Sequence, residues 1–259
     1  MQTISILGCG WLGLPLGEHL VKVGYQVKGS TTNKDKLPRL EKVGIKPFQL
    51  AFNPSLVGDS ADFFESGITI INLPPRNHNG EVNFHENQLK SILDHIRSDK
   101  VIFVSSTAVY PTNNEMVNED DASSVCVTRG GIPLLQMEQL FSNNPVFETS
   151  VIRFGGLYGP DRHPGKFLAG KKNLAGANNP VNMIHLEDCI GVIQNILEQN
   201  IWGEVFNACA PSDETRQSFY EKAAIELDIT PPTFSDELAP FKKVSSEKLI
   251  NTTGYQFKH

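Results

Sequence analysis

The sequence predicts an α/β chain built on a doubly wound parallel sheet, and three observations predict it. Short apolar runs alternate with segments of helical period from end to end. Some runs, such as Ile68-Thr69-Ile70-Ile71-Asn72-Leu73 and Val101-Ile102-Phe103-Val104, are nearly continuous in apolar residues, as strands covered on both faces require. The chain also opens in the order strand, glycine turn, helix. Its 259 residues suffice for one large domain, or for a large one and a small one.

The opening unit is the most informative stretch. Thr3-Ile4-Ser5-Ile6-Leu7 is a strand, and Gly8-Cys9-Gly10-Trp11-Leu12-Gly13 follows at once. Leu12, Leu16 and Leu20, with Val23 extending the stripe, mark one face of a helix. Gly8 allows a tight turn, Gly10 leaves room for a pyrophosphate to approach the backbone, and Gly13 lets the helix pack on the strand. The main chain of Gly8, Gly10, Trp11, Leu12 and Gly13 then offers free N–H groups and a partial positive charge to a dinucleotide. Pro15 falls in the first helical turn, where a missing N–H costs little. Cys9 sits near the helix start, a position that can lower a thiol pKa, but it reads as a small packing residue.

A second strand, 25–30, ends in Ser30-Thr31-Thr32-Asn33-Lys34 with no carboxylate at its tip. An acidic residue there would bind the ribose 2′-OH of NAD. Ser30, Thr31, Thr32 and Lys34 instead suit a 2′-phosphate, so the reading is NADP, with NAD the alternative. A helix over 36–43 stops at Gly44, a third strand covers 45–50, a loop 51–60 and a short helix 61–66. The strand 68–73 ends at Leu73 and Pro74, placed beside the dinucleotide. The polar loop after it carries Arg76 and His78 at a strand C-terminus, where open α/β sheets bind ligands.

A helix is expected over 82–97. The strand from Val101 ends in Ser105-Ser106-Thr107, whose hydroxyls face the same crevice: Ser105 is assigned to the cofactor and Ser106 to a substrate carbonyl or hydroxyl. Residues 113–124 read as an exposed acidic loop, 133–141 as a helix and 149–154 as a strand. Tyr158 and the basic loop Arg162-His163-Pro164-Gly165-Lys166 follow. His163 can move a proton near neutral pH, and Arg162 with Lys166 can hold a phosphate or carboxylate. Residues 181–185 are extended, 186–198 helical and 204–208 a late strand. Ser212 caps a helix to Leu227, and Ser246 caps a last one that stops at Gly254. Asp188, near a helix start, reads as stabilising that end. His19, His85 and His95 fall on helices and read as surface residues.

Composition narrows the partners. A net charge of −6 argues against a nucleic-acid or anionic-membrane surface. No apolar run approaches the roughly 20 residues that span a bilayer, and no charged segment with a following apolar stretch marks a leader. Cys9, Cys126, Cys189 and Cys209 are widely spaced, which suits reduced thiols in a cytoplasm better than a disulfide frame or zinc site.

Together these stretches resemble the extended short-chain dehydrogenase/reductase superfamily, in its NAD-dependent epimerase/dehydratase branch. The matching stretches are the opening glycine turn, 105–110, Arg153-Phe154-Gly155-Gly156-Leu157-Tyr158-Gly159-Pro160, Ile184-His185-Leu186-Glu187-Asp188, and 243–249 with Gly254-Tyr255. Gly10-Trp11-Leu12-Gly13 and Arg162–Phe167 point further, to small atypical bacterial members, the YeeZ-like group. The resemblance implies a Rossmann-type NAD(P)-binding domain (1–157 and 181–210) and a reduced C-terminal α/β substrate domain (158–180 and 211–259). It also implies an oxidoreductase or epimerase acting on a small polar or nucleotide-sugar substrate, and a homodimer.

The departures matter as much. The family's acid/base pair is Tyr-x-x-x-Lys on the helix after the serine strand. Aligned by Glu138, this chain has Gly130 at the tyrosine and Leu134 at the lysine, while Ser106 is kept. The Gly8-x-Gly10 spacing is also tighter than in extended members. His163 and Tyr158 are then the candidates for proton transfer, and Arg162, Lys166, Arg76 and His78 for substrate contact. A dinucleotide-binding sensor without turnover stays open as the alternative.

Overall fold

Residues 2–75, 81, 83–128 and 132–259 are described by a computed structural model of the chain. In chain order the elements are β1 (Thr3–Leu7), α1 (Gly13–Lys22), β2 (Gln26–Thr31), α2 (Leu37–Lys42), β3 (Lys46–Gln49), β4 (Ala51–Phe52), β5 (Leu56–Val57), β6 (Ile68–Ile71), α3 (Phe84–Leu93), β7 (Lys100–Ser106), β8 (Met116–Val117), α4 (Leu134–Ser142), β9 (Glu148–Phe154), β10 (Gly156–Tyr158), α5 (Gly165–Leu168), β11 (Met183–His185), α6 (Leu186–Gln199), β12 (Val205–Ala208), α7 (Arg216–Glu226), β13 (Lys243–Val244) and α8 (Glu247–Thr253).

Among the described residues, seven strands form one sheet in the order β12-β9-β7-β6-β1-β2-β3. Every neighbouring pair is parallel, so each connection crosses a face of the sheet. The strand pleat explains the two cores. Ile4, Ile6, Ile70, Ile102 and Ile152 point to one face, under α1, α6 and α8. Leu7, Ile71, Val101, Phe103 and Val151 point to the other, under α3 and α4. Apolar residues are needed at both parities, hence the near-continuous runs.

The chain winds outward from β1 to β3, then returns to add β6 on the other side of β1. The strand order therefore reverses between β1 and β6, and a crevice opens above their C-terminal ends. Smaller pairs lie beyond the sheet: β10 with β11, and β8 with β13.

Several local expectations change. Residues 61–66 are turns, not a helix. Phe63 and Phe64 are buried there, the Ser5 hydroxyl donates to the Phe63 carbonyl at 2.5 Å, and Lys28 Nζ donates to the Glu65 carbonyl at 2.8 Å. Burial of the two rings and these bonds to other strands override local propensity. The 51–60 loop contains the β4–β5 hairpin. Helix α3 stops at Leu93 instead of continuing to 97, and the 113–124 loop contributes β8, whose Val117 is buried. His85 is buried beside Gln88, and that burial depresses its pKa; it is not a surface residue.

Candidate functional site

The site begins at the switch between β1 and β6. Gly8 has φ +104°, and a Cβ on it would stand 2.3 Å from the Asn72 carbonyl oxygen. A Cβ on Gly13 would stand 2.2 Å from the Gly8 carbonyl oxygen. These two glycines are forced by backbone packing. At Gly10 the added Cβ meets nothing within 4 Å, so the third glycine leaves open space beside the turn rather than filling a tight contact. Helix α1 has no side-chain N-cap; the Leu14 amide donates to the Gly10 carbonyl and the Leu16 amide to the Leu12 carbonyl, and Pro15 has no N–H, which leaves the amides of Trp11, Leu12 and Gly13 to solvent or a ligand. The turn is braced from both sides: Asn72 Nδ2 donates to the Gly8 carbonyl at 2.9 Å, and the Gly8 amide donates to the Ser30 hydroxyl at 2.9 Å.

This brace redefines one residue at the end of β2. Ser30 is buried, with its oxygen committed to Gly8. Thr31 is buried too, and its hydroxyl accepts the Asn33 amide. Thr32 and Lys34 are exposed at the tip. Leu73 and Pro74 continue from β6 next to the turn; the Leu73 side chain comes within 3.2 Å of a Cβ built on Gly8. Cys9 packs beneath: its thiol would be 2.6 Å from a Cβ on Gly29, and burial pushes its pKa up to about 12. Desolvation outweighs the helix N-terminus here.

The far wall is a cavity of about 590 Å³. Tyr158 and His163 line it, with Pro160, His185, Phe219, Glu226 and His259. Trp11 joins the two parts: its indole N–H donates to the Pro160 carbonyl at 2.8 Å, and the Arg162 guanidinium lies 5.3 Å above its ring. Arg162 therefore stacks on the glycine turn, while Lys166 is exposed. His163 Nε2 is 3.5 Å from Glu226, and its Nδ1 accepts the Gly165 amide, which leaves Nε2 to carry the proton of the neutral ring. Burial, then the charge of Asp188, raises the Tyr158 phenol pKa, so the phenol stays protonated at neutral pH. Arg76, His78 and Gly130 lie outside the described residues.

Ser106 ends β7, half-buried, and its hydroxyl accepts the Ala108 amide. Ser105 points to the opposite face and donates to Glu138 at 2.6 Å. Glu138 is held by Arg153 through Nε at 3.1 Å and Nη2 at 2.7 Å. Arg153 also donates to the Tyr110 hydroxyl, which donates to Asn207 at 2.5 Å. The Ser105 hydroxyl is thus engaged by this buried network. Leu134 is buried in the core beneath it.

Three features escape sequence reading. Arg153, set between the apolar Val151-Ile152 and Phe154, is a visible signal of the Glu138 pair. Lys242 bonds the Tyr110 carbonyl at 2.7 Å, and burial lowers its pKa; it lies in an irregular segment with no pattern to mark it. Asp188, fully buried, accepts from the Tyr255 hydroxyl and the Lys258 amide, each at 2.9 Å, and from the His259 amide at 3.1 Å. It fixes the residues that close the wall, beyond its expected role at a helix start.

An all-parallel sheet with a braced glycine turn at its switch point defines a Rossmann-type α/β protein, of the fold shared by short-chain dehydrogenases/reductases and NAD-dependent epimerases. Residues 3–131 match the family described as the NAD binding domain of 6-phosphogluconate dehydrogenase. The chain belongs to the YeeZ family: it is 34% identical to protein YeeZ of Escherichia coli strain K12, over 100% of this chain and 97% of that one. Among solved structures it is similar to a functionally unknown conserved protein from Silicibacter pomeroyi, at 22% identity and TM-score 0.77, covering 100% of this chain and 94% of that one. It is also similar to UDP-glucuronic acid 4-epimerase from Bacillus cereus, solved with UDP-glucuronic acid and NAD, at 18% identity and TM-score 0.75, covering 99% and 94%. Among the described residues no helix is long and apolar enough to cross a membrane.

Proposed function

We propose that the chain binds NADP, or NAD, at the glycine turn and uses it on a small polar or nucleotide-sugar substrate held in the 590 Å³ cavity. The observation that carries this reading is the contrast among the motif glycines. Gly8 and Gly13 answer to backbone contacts, whereas Gly10 faces open space beside the unpartnered amides of Trp11, Leu12 and Gly13. A pyrophosphate fits there, and nothing in the fold itself requires that glycine. Thr32 and the exposed Lys34, with no carboxylate among residues 30–34, support a 2′-phosphate, although Asp35 follows. The epimerase similar in fold was solved with NAD, which supports the alternative.

When bound, the cofactor would supply a hydride donor or acceptor. The chain's own residues would do the rest. Ser106 would bond a substrate oxygen at the crevice, Tyr158 would donate from its protonated phenol, and His163, backed by Glu226, would carry the proton. Arg162 and Lys166, with Arg76 and His78, would meet an anionic group. On this reading 1–157 with 181–210 binds the dinucleotide, 158–180 with 211–259 binds the substrate, and the protein is a cytoplasmic homodimer without nucleic-acid or membrane partners. The second reading, a sensor without turnover, is favoured by Leu134, which is buried where the family's lysine would stand.

Calorimetry with NADPH and NADH tests the site. Gly10→Val should abolish binding and leave the fold intact, since its Cβ meets no protein atom. Equal affinity in the variant overturns the proposal. A sugar-nucleotide and carbonyl screen at 340 nm separates enzyme from sensor.

A further inference from the structure

We infer that His185, Glu187 and His259 form a binding site for a divalent transition cation of the zinc type, in the wall of the cavity. One ligand atom from each of the three lies within 4.8 Å of the other two, and they are the one such group among the described residues. Two imidazoles and a carboxylate are a donor set that zinc accepts, with a fourth position left for water or substrate.

Each donor is held by a different part of the fold. His185 ends β11, and its Nδ1 accepts the Glu187 amide at 3.3 Å as the N-cap of α6. Glu187 stands in the first turn of that helix. His259 comes from the chain's other end, and its own amide is fastened to the buried Asp188. Its Nε2 already lies 3.1 Å from Glu187 Oε2, close to the separation of two ligands around one tetrahedral ion.

The His185 and His259 rings approach to 4.0 Å between centroids, so the two imidazoles converge beside the Glu187 carboxylate. His185 and His259 both line the cavity, so the open coordination position faces the space assigned to substrate. This arrangement does not depend on the dinucleotide reading, because none of the three residues belongs to the glycine turn.

The test uses the full chain without a histidine tag and zinc chloride alone. Calorimetry and metal analysis after dialysis should give one zinc per chain, and cobalt in its place should give the visible absorption of a four-coordinate site. His259→Ala and Glu187→Gln should each weaken zinc at least as much as the roughly 10–100-fold lost when outer-shell partners of metal ligands are removed. His185→Asn should do the same; it keeps a helix-capping side chain, so its loss would not report an unfolded helix. His19→Ala, on α1, should bind as the unaltered chain does. Failure of the unaltered chain to retain zinc, or equal affinity in His185→Asn and His259→Ala, overturns the inference.

Discussion

The glycine turn and the cavity wall, joined through the bond from Trp11 to Pro160, are built in opposite ways. The turn is six consecutive residues, Gly8 to Gly13, held between Ser30 and Asn72. The wall gathers Tyr158, His163, His185, Phe219, Glu226 and His259 from four separated segments. A contiguous element fixes its geometry through backbone sterics, whereas an assembled one depends on distant anchors, here Asp188 and the bond from Trp11 to Pro160. The first should resist change everywhere except at Gly10. The second should yield to loss of any anchor.

The largest effect expected is Gly8→Ala. It combines a left-handed φ with a Cβ 2.3 Å from a backbone oxygen, and the two together should cost roughly 2–4 kcal/mol in urea unfolding. A loss below about 0.5 kcal/mol would show that the turn is not sterically fixed. Next comes Asp188→Ala, which strips three donors of a buried carboxylate. Roughly 2–3 kcal/mol should go, and hydrogen exchange should rise over 255–259 while the turn stays protected. Equal loosening in both regions would erase the distinction between them. Trp11→Phe keeps the ring and removes one part-exposed bond to Pro160; about 1 kcal/mol at most should be lost, with the change confined to the 158–163 loop. The smallest effect concerns Cys9. With its pKa near 12 and its side chain buried, it should stay unmodified by iodoacetamide at pH 7.5 under conditions where Cys126, part-exposed, reacts. Rapid labelling of Cys9 in the folded protein would mean that the turn opens.

The same contrast explains what could be read from the chain. The sheet was readable because strands buried on both faces need apolar residues at both parities, as in Ile68–Ile71. The glycine turn was readable because its geometry lives in six adjacent letters. The wall was not, since His259 and His185 stand 74 positions apart in sequence and meet only because Asp188 holds the terminal amides. Residues 61–66 misled because the segment is shaped by burial of Phe63 and Phe64 and by bonds from Ser5 and Lys28 on other strands, none of which local letters show. Ser30 was read as a ligand contact from its position alone, and only the fold shows its oxygen bracing Gly8.

One indole has a practical consequence. The chain has two tryptophans, and Trp202 bonds Asn200 and lies under Lys100, at the N-terminal end of β7. Trp11 stands in the glycine turn and bonds Pro160 in the cavity lining. In a Trp202→Phe background its emission becomes a built-in optical gauge, able to register an occupant of either compartment without a dye or a label.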